Sequence, residues 1–179
     1  MKNIFLKVLD FRQYLCYNQY RKYEGNYLKM EKAIYFDCDG TIVDLYNVED
    51  WLFHLHNYSV YPYVAARPLV NMSSLARLLN RLQKNGYIIG IITWCSKGSN
   101  DDFDARTQNA KLQWLRRHLP SVNFDEIHIV QYGIEKSSVA NYPEGLLFDD
   151  NAAVRKSWSG VSHDENGIID FLKELVKRD

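Results

Sequence analysis

The chain has 179 residues, 46% of them hydrophobic and 14% aromatic, enough apolar material for one compact domain with a small appendage, so global disorder is excluded. Twenty-two basic residues balance twenty-two acidic ones, so the cationic surplus that drives non-specific nucleic-acid binding is missing and no nucleic-acid partner is expected. Three cysteines without CxxC or Cys/His zinc spacing make no disulfide framework, and no run approaches the roughly eighteen apolar residues of a membrane span.

In chain order, the start MKNIFLKVLDF carries charge too early and too often for a secretory signal, which leaves a soluble protein of a reducing cytoplasm as the expectation. Residues 1–29 hold six basic residues against Asp10 and Glu24, with tyrosines at 14, 17, 20, 23 and 27 at helical spacing. They read as an N-terminal extension, either poorly ordered, because termini are ordered only when tied down, or a basic aromatic arm that docks on an acidic body or partner. The domain proper is expected over 30–179. Ala33-Ile34-Tyr35-Phe36 is a continuous apolar strand ending in Asp37. Residues 44–72, rich in aromatics and carrying His54 and His56, are too long for a simple loop and read as a small cap insert. Leu75, Leu78, Leu79 and Leu82 have helical spacing, closed by Asn85-Gly86. Tyr87 to Ile92 is the next strand, ending in Thr93. A helix over 102–118 follows, with Ala105, Leu112, Leu115 and Leu119 expected on its buried side and Pro120 as its stop. Ile127 to Val130 and Leu146 to Phe148 are further strands, Gly160-Val161 a short fifth, and 167–177 a closing amphipathic helix.

Unalternated apolar strands interleaved with helices predict a mainly parallel, Rossmann-like sheet in a three-layer α/β/α sandwich. Three polar clusters then follow directly on strands: Asp37-Cys38-Asp39-Gly40-Thr41, Thr93, and Asp149-Asp150-Asn151. Ligands of open α/β sheets bind beyond the carboxyl ends of strands, so all three fall on the functional edge. Carboxylates gathered there repel one another, and burial raises their pKa. A compensating positive charge is required. A divalent cation and Lys136 are the two candidates; Lys111, the next lysine upstream, belongs to the preceding helix and is a poorer fit.

On these residues the chain resembles the haloacid dehalogenase-like hydrolases. FDCDGT at 36–41 is similar to the first motif of that family, ITWCSKG at 92–98 to the second, Lys136 to the lysine of the third, and FDDN at 148–151 to the acidic fourth. The resemblance covers residues 32 to about 177. It implies Asp37 as the nucleophile of an aspartyl-phosphate, Asp39 as general acid and then base, and Thr93 and Lys136 as holders of the transferring oxygens. It further implies a Mg²⁺ held by Asp37, by Asp39 through its backbone carbonyl, and by Asp149 or Asp150, with Asp149 favoured as the first after the strand. Gly40 permits a sharp turn near the phosphate, and Thr41, Trp94 and Arg67 are expected as further substrate contacts. The reading is a Mg²⁺-dependent phosphatase of a small phosphorylated metabolite. A softer resemblance to the 5′-nucleotidase and deoxyribonucleotidase branch, carried by Lys111, Trp114-Leu115 and Pro120, suggests a nucleoside monophosphate. A phosphatase of nucleic-acid termini and a catalytically silent binding module are the alternatives. Cys38 and Cys95, expected on neighbouring strands, read as small packing residues.

Overall fold

The computed structural model describes residues 32–178, so the expected N-terminal extension over 1–29 lies outside the described residues. Its centre is a parallel sheet of five strands: β1 (Ala33–Phe36), β4 (Ile88–Trp94), β5 (Glu126–Val130), β6 (Leu146–Phe148) and β7 (Ser162–His163), in the order β5-β4-β1-β6-β7. Strands β2 (Val43–Asp44) and β3 (Arg67–Pro68) form a separate antiparallel ribbon. The sheet is built from the apolar runs legible in the sequence, except that the last strand lies two residues beyond Gly160-Val161. After β5 the chain returns to the far side of β1 to lay down β6. The order therefore reverses at β1, which places a switch point there.

Successive side chains of β1 alternate between the faces, and the two faces are covered unequally. Ile34, Phe36, Ile89, Ile91, Leu146 and Phe148 pack against α3 (Met72–Lys84), α6 (Ile168–Arg178) and the carboxyl half of α4 (Asp101–His118). The opposite face, with Ala33, Tyr35, Ile92 and Leu147, is covered by the short helix α5 (Ala152–Ser157), by Trp158, and by residues 139–142. Three layers are present, one thick and one thin. Gly90 sits where a Cβ would come within 2.5 Å of the Tyr35 ring. The glycine therefore makes room for that ring on the thin face, where the Tyr35 hydroxyl donates to Glu126 at 2.9 Å.

Between β2 and β3 the chain forms two short helices, α1 (Trp51–His56) and α2 (Tyr61–Ala65). Leu45, Leu55 and Tyr63 of this insert pack on Phe103 and Ala110 of α4. Helix α4 thus spans both regions, its amino half under the insert and its carboxyl half on the sheet. Of the four residues expected on its buried side, Leu115 and Leu119 are buried, whereas Ala105 is exposed and Leu112 only partly covered; Phe103, Thr107, Ala110, Lys111 and Trp114 complete the buried face. Asn100 starts the helix by accepting the Phe103 amide, Asp101, Asp102 and Asp104 lie in its first turn, and Arg116 and Arg117 lie in its last, each sign matching the helix dipole.

Candidate active site

Strand β1 lies between β4 and β6, so the residues ending these three strands meet at one place. The Asp37 amide donates to the Phe148 carbonyl at 2.9 Å, which ties the end of β1 to the end of β6. The chain then turns tightly, with the amides of Thr41, Ile42 and Val43 converging on the Cys38 carbonyl at 2.8–3.1 Å. Gly40 has φ 77°, and a Cβ there would lie 2.5 Å from Asp150 Oδ2 and 2.6 Å from the Tyr46 ring. Only glycine meets both demands. Thr41 faces inward rather than toward a ligand: it is fully buried, and its hydroxyl accepts the Asp150 amide at 3.0 Å.

Carboxylate oxygens of Asp37, Asp149 and Asp150 lie within 4.8 Å of one another. Lys136, in a single 3₁₀ turn over 136–138, donates to Asp37 Oδ1 and to Asp149 Oδ2, both at 2.6 Å. It is 3% exposed, and the spacing of 13 residues to Asp149 is long enough for both contacts. Burial pushes Asp149 up, with repulsion from Asp37 adding to it, to about 7, and the same two causes raise Asp150 to about 6. Burial by itself would depress Lys136, but Asp37 and Asp149 beside it hold its pKa above the ordinary lysine value. Three hard oxygen donors whose gathered negative charge calls for a cation fit a small divalent one such as Mg²⁺. The cluster comprises Asp37, Asp149 and Asp150; the Asp39 side chain lies outside it.

Asp39 has another partner. Lys111, on the buried side of α4, donates to Asp39 Oδ2 at 2.6 Å, to Thr93 Oγ1 at 2.9 Å and to the Trp94 carbonyl at 2.7 Å. Burial raises the pKa of Asp39, and Lys111 opposes that rise. Two lysines therefore serve the site, where the sequence pointed to one. Lys111 reads as a solvated helix residue until its neighbours are counted. With Phe103, Thr107, Ala110 and Trp114 it keeps the i, i+4, i+7/8, i+11 spacing of one helix face, and a lysine on such a face needs a buried anion.

The carboxyl edge opens into a cavity of about 340 Å³, within the size range of small-molecule sites. Asp37, Asp39, Thr93, Lys136, Asp149 and Asp150 form its floor. Tyr46, Trp51, Leu52 and His56 of the insert reach it from one side, Trp94, Lys97 and Tyr132 from the other. The rings pair within each wall, Tyr46 with Trp51 at 5.0 Å and Trp94 with Tyr132 at 4.9 Å. Trp94 also lies beneath Lys136 Nζ, 5.3 Å from the ring centre, and its indole N–H donates to the Ile134 carbonyl. Of the insert aromatics, Tyr46, Trp51 and Tyr63 line the cavity, Tyr63 being buried in packing as well, while Phe53, Tyr58 and Tyr61 are exposed and stay away from it. Arg67 is not brought to the site. It belongs to β3, opposite Asp44, with an exposed side chain that does not line the cavity, because the ribbon directs it to solvent. Cys38 and Cys95 end neighbouring strands as expected. Both are buried free thiols pushed up to about 12, chiefly by burial, as packing residues would be.

No protein-family model matches the chain, and no curated protein matches it. Among solved structures, the chain is similar to D,D-heptose 1,7-bisphosphate phosphatase from Burkholderia thailandensis, at 14% identity and a TM-score of 0.48, over 82% of this chain and 99% of that one.

Proposed function

We propose that this chain is a Mg²⁺-dependent phosphomonoester hydrolase working through an aspartyl-phosphate on Asp37, as the resemblance of its four motifs to the haloacid dehalogenase-like hydrolases implies. The observation that carries the proposal is the meeting of Asp37, Asp149 and Asp150 within 4.8 Å, beside a buried lysine and under a cavity of small-molecule size. Mutually repelling buried carboxylates destabilise a fold that does not use them.

Asp37, Asp149 and Asp150 would hold the cation, which when bound screens the repulsion between an attacking carboxylate and an anionic phosphate. Lys136 fixes Asp37 through Oδ1 and leaves Oδ2 without a hydrogen bond among the described residues, so Oδ2 is the oxygen free to react. An ammonium has three N–H donors, and Lys136 spends two on carboxylates. Its third serves a phosphoryl oxygen, as does the Thr93 hydroxyl at the end of β4. As Asp37 forms its bond to phosphorus, the ester P–O bond breaks and Asp39 gives its proton to the departing oxygen. In the second half, Asp39 takes a proton from water as that water attacks phosphorus. The Asp37–phosphorus bond then breaks, returning the carboxylate and releasing inorganic phosphate.

The aromatic walls support a substrate with a flat or apolar group on the phosphate, a nucleoside monophosphate among them, because rings stack on such faces. The buried free thiols of Cys38 and Cys95 suit a reducing cytoplasm, where we place the protein. No helix among the described residues is long and apolar enough to cross a membrane. The test is hydrolysis of p-nitrophenyl phosphate with Mg²⁺ and with EDTA: metal-dependent turnover is expected, and a wild type that stays silent with metal would favour a binding module instead.

A further inference from the structure

We infer that Lys111 is a positioning residue that holds the two polar groups on the β4 side of the floor, Asp39 and Thr93, in their working orientations. The inference rests on the phosphatase reading above and deepens it.

Three acceptors surround Lys111 Nζ: Asp39 Oδ2, Thr93 Oγ1 and the Trp94 carbonyl. An ammonium has three N–H donors and no acceptor, so all three are taken. None is left for a phosphate, which separates Lys111 from Lys136 and excludes a direct contact to the reacting group. Its side chain is 3% exposed and lies against the Tyr63 ring, 5.0 Å from the centre, so it is not free to swing into the cavity.

The effect on each partner follows from donor counting. A hydroxyl carries one donor hydrogen and two acceptor lone pairs. Because Lys111 donates to Thr93 Oγ1, the hydroxyl hydrogen of Thr93 must point away from the lysine, toward another acceptor. On a residue that lines the cavity, that acceptor is the incoming phosphoryl oxygen. At Asp39 the lysine engages only Oδ2. The other oxygen, Oδ1, is buried and has no hydrogen-bond partner among the described residues. A carboxyl pinned through one oxygen presents the other in a single orientation, as a proton carrier must. An unpartnered buried oxygen beside a fully satisfied one is otherwise a plain loss of stability.

The test separates a role exercised through Asp39 from a merely structural one. For Mg²⁺-loaded wild type and Lys111→Met, kcat/KM is measured on para-substituted aryl phosphates of graded leaving-group basicity; this parameter reports the first half-reaction. Misaligned protonation is felt little by nitrophenolate and strongly by poor leaving groups. The variant should therefore lose only a few-fold on p-nitrophenyl phosphate and on the order of 10²-fold on phenyl phosphate, within the worth of general acid catalysis. A loss equal across the series, or none, would overturn the inference while leaving the phosphatase reading intact. A wild type silent on every member overturns that reading and this inference together. Non-additivity supplies a second readout: on phenyl phosphate, Asp39→Asn/Lys111→Met should be only the few-fold owed to Thr93 below Asp39→Asn alone, and fully multiplied losses count against a role through Asp39. Should Lys111→Met fail to show the wild-type circular dichroism, Lys111→Gln, which keeps two N–H donors but no charge, takes its place in the series. A graded loss then supports the inference, and an even loss or none overturns it.

Discussion

Along the ends of β1, β4 and β6, Asp37, Thr93 and Asp149 are buried and joined to Lys136 and Lys111 by hydrogen bonds that cross from one element to another. The insert between β2 and β3 meets the same cavity with Tyr46 and Leu52, each about half exposed at 48% and 47%, and with Trp51, which makes ring contacts. The difference separates two tasks. The floor is held tightly, because Asp37, Asp39 and Asp149 are each bonded to a lysine from another element, and it is where the proposed chemistry belongs. The insert rests on apolar packing against α4 and presents rings to the cavity, so it is suited to selecting what enters.

The comparison predicts that changes in the floor cost turnover, whereas changes in the roof cost affinity. Asp37→Asn should lose turnover altogether while keeping the wild-type circular dichroism, because an amide is no nucleophile; metal-dependent activity in that variant would remove Asp37 from its role. Chelation should be equally severe for activity, and its effect on stability should depend on pH. Asp149 and Asp150, raised to about 7 and about 6, bind protons in the folded chain that ordinary unfolded carboxylates have released. Stability of the metal-free protein should therefore fall as pH rises from about 4 to about 7, the span between unfolded and folded values. Mg²⁺ replaces those protons, so its stabilisation should be slight at pH 5 and full at pH 8. It should reach roughly 5–10 °C in Tm at a hundredfold excess over Kd. A metal effect on Tm that is flat with pH, measured by scanning calorimetry, would mean that these carboxylates do not bind the ion.

Asp39→Asn should lower kcat by on the order of 10²–10⁴-fold through lost protonation of the leaving group. In the roof, Trp51→Ala should raise KM for a nucleoside monophosphate on the order of tenfold, as for loss of one stacking face, with kcat nearly kept. A kcat effect as large as that of Asp39→Asn would dissolve the division between floor and roof. Arg67→Ala, on the ribbon but away from the cavity, should leave both constants within about twofold.

Much of the floor was legible in the sequence because it hangs on strand ends. An apolar run followed by Asp or Thr places that side chain at the sheet edge whatever the loops do, and Asp37, Thr93 and Asp149 all obeyed this. Lys136 was legible only through its match to the third motif, since a lysine opening a short turn gives no signal of burial by itself. Lys111 was not, because a lysine in a helix is ordinarily solvated; its burial depends on α4 crossing from insert to sheet, a tertiary fact that also turned Ala105 outward. Neither Arg67 nor Thr41 lines the cavity, although both were expected to touch substrate. The two-residue ribbon β2–β3 carries too few residues for a periodic signal, yet it sends Arg67 to solvent, while the tight turn around the Cys38 carbonyl faces Thr41 inward. The pairing of Trp94 with Tyr132 joins residues from different strand ends, and only the β4–β5 register brings them together.

A crystal of the protein grown with Mg²⁺ and beryllium fluoride tests the central claim most directly. The account predicts beryllium bonded to an Asp37 carboxylate oxygen, with the metal held by Asp37 and the Asp149–Asp150 pair and Lys136 beside the fluorides. Beryllium fluoride bound elsewhere, or an Asp37 left bare while the metal is bound, would contradict it.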